Sequence, residues 1–163
     1  MANNRYEDVP EEILSFVDTV RNKYFPELSG LKINVLYDLK KRTNKGKLVL
    51  GNIKKTDDLI RHHTKSEFGL QDGYDFILFL DKFIFNHIDD NDKVRLIRHQ
   101  FRHVFYDSEN DKDPYRLVGH DVEDFFEELQ LNKDDMRWAE RVMEVAMALY
   151  EEDKENTKGP APF

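Results

Sequence analysis

The spacing of the apolar residues changes along this chain of 163 residues, and the change restricts it to a fold that combines helices with strands. Apolar side chains recur at helical spacing over residues 10–24, which is typical of an amphipathic helix. Over 31–37 they alternate with polar side chains, and a second apolar run at 48–50 follows the turn-forming residues 43–46. We therefore predict a helix followed by two antiparallel strands.

The second half of the chain predicts one more strand and then mostly helix. Gly73 precedes the β-prone segment 74–80, and residues 89–92 place short hydrogen-bond acceptors where a helix would begin. Helices are predicted over 56–68, over 92–107, from about 121, and over 134–152. The predicted fold class is α+β, with one domain over residues 1–155, a small mixed or antiparallel sheet and a disordered tail at 156–163.

The chain contains no cysteine. This excludes disulfides, thiolate zinc sites, iron–sulfur clusters held by protein thiolates and a cysteine nucleophile. Any metal must therefore be held by histidine and carboxylate side chains. No apolar run approaches the ~20 residues that span a bilayer, and the first residues lack the pattern of a secretory signal. We expect a soluble cytoplasmic protein with no membrane partner.

Charge is distributed unevenly along the chain. Residues 1–82 hold 14 basic and 13 acidic side chains, whereas residues 83–163 hold 11 and 20, so the net charge of −8 arises in the second half. A basic segment at 40–65 nevertheless carries nine Lys or Arg and only two Asp. The segment could contact nucleic acid, but the overall acidity would repel phosphate elsewhere. A solvated hairpin is the simpler interpretation.

Two histidines, His99 and His103, lie four residues apart within the predicted helix over 92–107. At 100° per residue they project about 40° apart and about one turn apart along the axis, which lets two imidazoles reach one metal ion. Tyr106 falls on the same face, opposite the main apolar stripe. The alternative is that the histidines are incidental residues of a metal-free domain.

A catalytic zinc ion usually has three protein ligands and a water, so a further ligand is needed. His120 is the candidate, because it lies on the side of the next predicted helix away from its apolar stripe. Glu123 and Glu127 are the substitutes. Asp121 either caps that helix or orients an imidazole. The cofactor expected from this donor set is Zn²⁺.

Several features of the chain occur together in one order: two strands, a glycine-containing second strand at 47–54, Asp-Phe-Ile-Leu at 75–78, His-x-x-x-His at 99–103 and His-Asp-Val-Glu-Asp-Phe at 120–125. This order resembles the phage metallopeptidase family, a branch of the zincin-like peptidases, over most of residues 30–130. The resemblance implies a zincin-like fold and a zinc ion held by His99, His103 and, most simply, His120. It also implies a protein or peptide substrate and a site of action in the bacterial cytoplasm.

Position 100 departs from the family pattern, which is H-E-x-x-H. The Glu of that motif is the general base, and the Gln100 amide cannot accept a proton at neutral pH. Assistance worth typically 10²–10⁴-fold should therefore be missing, while metal binding should persist. The chain is either a natural pseudo-enzyme or a Glu-to-Gln variant of an H-E-F-R-H enzyme. We favour the variant, because the rest of the motif is intact.

We therefore predict a zinc-dependent metallopeptidase that is inactive as written, with Gln100 at the catalytic position. The alternative is a non-catalytic zinc-binding module that contacts a protein or nucleic acid through the basic segment. In zincin-like folds a strand beside the cleft pairs with extended substrate, and the resemblance gives that role to the strand at 74–80. Arg98 and Arg102 flank the histidines and are expected to pair with acidic residues of neighbouring helices.

Overall fold

The computed structural model describes residues 5–67, 73–110, 113–119, 128 and 131–158. Within these ranges the strands are β1 (Tyr6–Asp8), β2 (Ile33–Asp38), β3 (Thr43–Asn44), β4 (Lys47–Leu48), β5 (Gly51–Lys55), β6 (Phe76–Asp81), β7 (Val104–Tyr106) and β8 (Tyr115–Leu117). The helices are α1 (Glu11–Tyr24), α2 (Asp58–Glu67), α3 (Lys82–Phe85), α4 (Asp90–Arg102) and α5 (Trp138–Lys158), with 3₁₀ turns at Pro26–Leu28 and Lys133–Asp135. The predicted α+β class is confirmed.

Four strands form the main sheet, in the order β1-β2-β6-β5. Strands β2 and β6 are parallel, with Val35 opposite Leu78, whereas β1 and β5 run antiparallel to their neighbours. Strand β6 supplies much of the core, since Phe76, Leu78 and Leu80 are all fully buried. A strand that is buried on both faces does not need to alternate apolar with polar residues. This explains why the sequence of β6 is almost continuously apolar.

The predicted hairpin between 31–37 and 48–50 is wrong, because β6 lies between β2 and β5. The turn at 43–46 does form, but it joins only the two-residue strands β3 and β4. Lys45 and Gly46 have φ angles of 54° and 81°, as a type I′ hairpin turn requires. A turn is decided locally, whereas a strand's neighbour is decided by which pairing buries the most apolar surface.

The first helix fixes the position of α4 from one side. Helix α1 contacts α4 and buries Val17 and Val20. Just beyond α1, the ring of Phe25 packs on that of Phe101 in α4, with centroids 5.6 Å apart. Both phenylalanines are almost completely buried, so this contact anchors the helix that carries the two candidate histidines.

Helix α4 begins where the sequence predicts and ends sooner. The Asp89 side chain accepts a hydrogen bond from the backbone N–H of Asp92 at 2.8 Å and so caps the helix. The helix stops at Arg102, and the next residues form β7, which pairs with β8. Tyr106 therefore lies on a strand and not on the histidine face. Its segment, Val-Phe-Tyr, favours a strand.

Helix α5 begins later and ends later than predicted, at Trp138–Lys158. Its buried residues Trp138, Val142 and Ala146 recur at every fourth position. The helix continues through 156–158, which were expected to be disordered, and residues 159–163 lie outside the described ranges, as does most of the helix predicted from about 121. In the part of the chain that the structure describes, every helix is too short or too polar to cross a bilayer.

Candidate metal centre

The two candidate histidines are brought together as predicted. His99 lies in the last turn of α4, and His103 caps its C-terminus. Their ring centroids are 5.4 Å apart, and the rings are inclined at 74°. Both residues are half-buried. Two imidazoles at this separation on one face match the pair that binds zinc in an H-x-x-x-H sequence.

His103 is oriented by a pair of hydrogen bonds to one residue. Its ring Nδ1 lies 2.7 Å from the carbonyl oxygen of Val118, and the backbone N–H of Val118 donates to the carbonyl oxygen of His103 at 2.6 Å. Because a carbonyl oxygen only accepts, Nδ1 must carry the proton. In the neutral ring the lone pair is then on Nε2. This is how a backbone carbonyl fixes the tautomer of a metal-binding histidine.

Gln100 lies between the histidines and against the edge of the main sheet. It is 7% exposed, and its side-chain Nε2 donates to the carbonyl oxygen of Gly51 at 3.3 Å. A Cβ on Gly51 would lie 3.4 Å from the carbonyl oxygen of Phe79 and 3.5 Å from Nε2 of Gln100. A Cβ at position 51 would therefore make ordinary van der Waals contacts there, whereas a larger side chain would meet Gln100 and the backbone of β6.

Strand β5, and not the strand predicted at 74–80, borders the histidines. The backbone groups of Leu50 and Thr56 form hydrogen bonds with residues at the two ends of β6. In an antiparallel ladder the backbone groups of successive residues point alternately towards and away from the neighbouring strand. The N–H and C=O groups of Gly51 and Ile53 therefore point away from β6. The outward carbonyl of Gly51 is the one that Gln100 contacts. Strand β6 has a neighbour on each side and cannot pair with a substrate.

Two clefts open beside this edge. One, of about 620 Å³, is lined by His99, Gln100 and Gly51 and by residues of α5 and the segment before it. The other, of about 320 Å³, is lined by His103 and Val118 together with residues of β5. Each histidine thus borders its own cleft, and both clefts follow the edge of the sheet.

Helix α5 covers part of the face on which the histidines lie. Arg141 of α5 donates to both carboxylate oxygens of Asp92, at 2.7 and 2.8 Å, and Asp92 is 2% exposed. Burial alone would raise the pKa of Asp92, but the hydrogen bonds from Arg141 and Arg95 outweigh it and lower the pKa. The histidine face, opposite the apolar stripe of α4, therefore borders a cleft between two helices.

Arg98 and Arg102 pair with a buried acidic residue, as expected. Glu128 is fully buried, and its two carboxylate oxygens accept from Nε of Arg98 at 2.9 Å and from Nε of Arg102 at 3.1 Å. Arg98 also donates to Asn132 at 2.5 Å. Glu128 is thereby held against α4 by two of its arginines. Its burial was not predicted, and the two arginines four residues apart were the available signal.

Tyr115 packs against the turn between α1 and β2. Its hydroxyl lies 3.0 Å from where a Cβ would stand on Gly30, in the turn between α1 and β2. Burial raises the pKa of Tyr115, and the nearby carboxylate of Asp75 raises it further. Tyr106 is 40% exposed and stacks on Tyr115 with ring centroids 5.5 Å apart. These contacts indicate packing.

The remaining predicted ligands, His120, Glu123 and Glu127, lie outside the described residues. Within the ranges that the structure describes, no three His, Asp or Glu side chains surround a common point. The two imidazoles, one with its tautomer fixed by Val118, nevertheless fit zinc by donor chemistry, since imidazole nitrogen is a preferred zinc ligand.

Comparison with known proteins identifies the family. No curated protein and no solved structure gave a significant match. The model of the family described as "Putative phage metallopeptidase" matches residues 4–150, which includes both histidines, Gln100, β5 and most of α5. With this match extending over most of its length, the chain belongs to the phage metallopeptidase family.

Proposed function

We propose that this protein binds one zinc ion through His99, His103 and His120 and that the site acts on polypeptides. The observation that carries the proposal is the hydrogen bond from Nδ1 of His103 to Val118. It leaves Nε2 of the neutral ring as the nitrogen with a lone pair, which is the arrangement in which a histidine binds zinc while a carbonyl oxygen holds its other ring nitrogen.

The same hydrogen bond supports His120 as the third ligand. Val118 is held beside His103 by two hydrogen bonds, and two residues of chain span at most about 7 Å. Residue 120 is therefore within reach of the histidine pair by chain length alone. Glu123 and Glu127 lie three and seven residues further along the chain, and we keep them as substitutes.

When bound, zinc would polarise a peptide carbonyl and make a water more acidic. The chain itself would hold an extended polypeptide along β5, whose outward groups, the N–H of Gly51 and the N–H and C=O of Ile53, are of the kind that pair with an added strand. The fold would thus position a peptide bond beside His99 and His103, between the two clefts.

Proton transfer is the function that the chain lacks. Gln100 occupies the position of the general base, but an amide does not accept a proton at neutral pH, and its Nε2 already donates to Gly51. We therefore expect zinc and peptide binding with hydrolysis lowered by roughly 10²–10⁴-fold relative to Glu at this position.

The decisive experiment is restoration of the base. Gln100→Glu protein should hydrolyse casein or a quenched fluorescent peptide mixture in the presence of zinc and lose that activity on addition of a chelator. Gln100→Ala is the matched control, since it removes the contact with Gly51 without supplying a base. A fully zinc-loaded Gln100→Glu protein that cleaves nothing would refute a peptidase site for these substrates.

The alternative is a non-catalytic zinc module, which the engaged Gln100 amide favours. Its suggested nucleic-acid surface, the basic segment 40–65, contains three positive groups that pair within the protein: Arg42 with Asp38, Lys55 with Asp113, and Arg61 with Asp75. This pairing reduces the charge available to phosphate. Salt-dependent retardation of an oligonucleotide in a gel would support the module, and its absence at low salt would remove the nucleic-acid version.

A further inference from the structure

A long groove runs along α5 and joins the cleft at the histidines. It has a volume of about 1,090 Å³ and lies between residues 39–48 and one face of α5. Leu48, Ala139, Glu140 and Met143 line both this groove and the cleft that contains His99 and Gln100. The groove and the cleft therefore form one continuous depression.

The floor of the groove is apolar and open to water. Met147 is 58% exposed and Leu39 42% exposed, and both line the groove beside the half-buried Leu48 and Met143. Exposed apolar side chains gathered in a concave surface mark a binding site. The unbranched methionine side chains adapt to ligands of different shape, so the floor suits varied aliphatic groups.

The two walls of the groove carry opposite charges. Lys40, Lys41 and Lys47 line one wall, and α5 gives the other wall one lysine, Lys154, and four acidic residues: Glu140, Glu144, Glu151 and Asp153. A polyanion such as a nucleic acid would face these carboxylates and be repelled. A polypeptide has a neutral backbone and mixed charges, so it fits walls of both signs.

The length of the groove sets the size of the occupant. Its lining runs along α5 from Ala139 to Lys154, which at the helical rise corresponds to about 22 Å. An extended chain advances about 3.3 Å per residue, so about six residues fit. Near the end away from the histidines, Nζ of Lys41 lies 5.4 Å from the ring centroid of Tyr150 and bridges the two walls.

We propose that this groove binds about six residues of an extended polypeptide rich in aliphatic side chains, on one side of the histidine pair. The placement of the peptide next to the reacting bond rests on the proposed function. Binding itself does not, because it requires neither the metal nor a general base.

The test uses the protein with Gln100, which should bind peptide without cleaving it. The probe is a fluorescein-labelled peptide of about twelve residues with leucine at alternate positions and Lys and Glu between them, and the matched probe has serine for each leucine. Fluorescence anisotropy should show at least about tenfold weaker binding of the serine peptide. Met147→Asp and Leu39→Asp should each raise Kd of the leucine peptide by about tenfold.

Val145→Asp is the control variant. Val145 is also on α5, is 41% exposed and does not line the groove, so its substitution should change Kd by less than about twofold. Circular dichroism of each variant shows whether it is folded. Two independent groove variants keep the test valid if one of them fails to fold.

The outcomes separate the groove from the proposed function. Equally tight peptide binding by Met147→Asp, Leu39→Asp and Val145→Asp would refute the groove as the peptide-binding site. Failure of the leucine peptide to bind, or its displacement by a single-stranded oligonucleotide, would refute it as well. Suppose that the groove variants weaken peptide binding and that the zinc-loaded Gln100→Glu protein cleaves nothing. The groove is then supported as a peptide-binding site, and the peptidase site is refuted. If Gln100→Glu protein cleaves peptides and adding Met147→Asp leaves that cleavage unchanged, the peptidase site is supported and the groove is refuted as the place where the peptide binds.

Discussion

Nδ1 of His103 donates to the carbonyl oxygen of Val118 at 2.7 Å, while the N–H of Val118 donates back to the carbonyl oxygen of His103 at 2.6 Å. The first contact selects a ring tautomer, and the second fixes where the chain leaves β8. One residue therefore both fixes the orientation of the His103 ring and holds the end of β8 beside the C-terminus of α4.

Replacement of either histidine should abolish zinc binding. His99→Ala and His103→Ala should each lower the zinc content from about one ion per chain to near zero, because two remaining ligands hold zinc weakly. Elemental analysis after removal of excess metal measures this. His62→Ala and His63→Ala on α2 are the controls, and loss of zinc in those variants would place the metal elsewhere.

Glu128 should be essential for stability although it is not a proposed ligand. Glu128→Gln leaves two largely buried guanidiniums, those of Arg98 and Arg102, without their carboxylate. We expect the free energy of unfolding to fall by about 3 kcal/mol, as measured by urea denaturation. Glu140→Gln, which removes an exposed pair with Arg137, should cost less than about 0.5 kcal/mol. Equal effects would contradict an anchoring role.

Gly51 should tolerate only the smallest side chain. In Gly51→Ala the added Cβ stands 3.4 Å from the carbonyl oxygen of Phe79 and 3.5 Å from Gln100, so we expect a change in stability within about 1 kcal/mol. Gly51→Val adds two methyl groups in the same space and should destabilise by about 1–3 kcal/mol. Thermal unfolding of the two variants side by side measures the difference, and equal Tm values would show that α4 and β5 are not in close contact.

Stability should depend on pH through Asp92. Its folded-state pKa is lowered, so its ion pairs stabilise the protein above the unfolded pKa of about 3.9, and this contribution is lost as pH falls through the folded pKa. Asp92→Asn should lower the free energy of unfolding by about 2 kcal/mol at pH 7. The loss should become progressively smaller as the pH falls below about 4. Asp90→Asn removes a carboxylate that is 86% exposed and serves as the control. A pH-independent difference between Asp92→Asn and the parent would contradict this assignment.

Several parts of the fold could be predicted because they are decided within a few residues. The apolar spacing of α1, the Asp89 cap and the turn at 43–46 all depend on local geometry. The predicted end of α4 failed because the Val-Phe-Tyr segment pairs with β8, which lies about ten residues further along the chain. The β propensity of Val-Phe-Tyr favours a strand, but the partner with which it pairs is decided by a tertiary contact.

The sequence by itself determined the histidine pair four residues apart, an amide and not a carboxylate at position 100, and the absence of thiolate chemistry, because helical geometry and side-chain chemistry follow directly from residue identity. Only the tertiary structure decided that β6 separates β2 from β5, that β5 with Gly51 faces Gln100, and that Val118 orients His103. These relationships join residues 15 to 49 positions apart. They form because burying β6 on both faces and satisfying buried polar groups favours one arrangement of the whole chain.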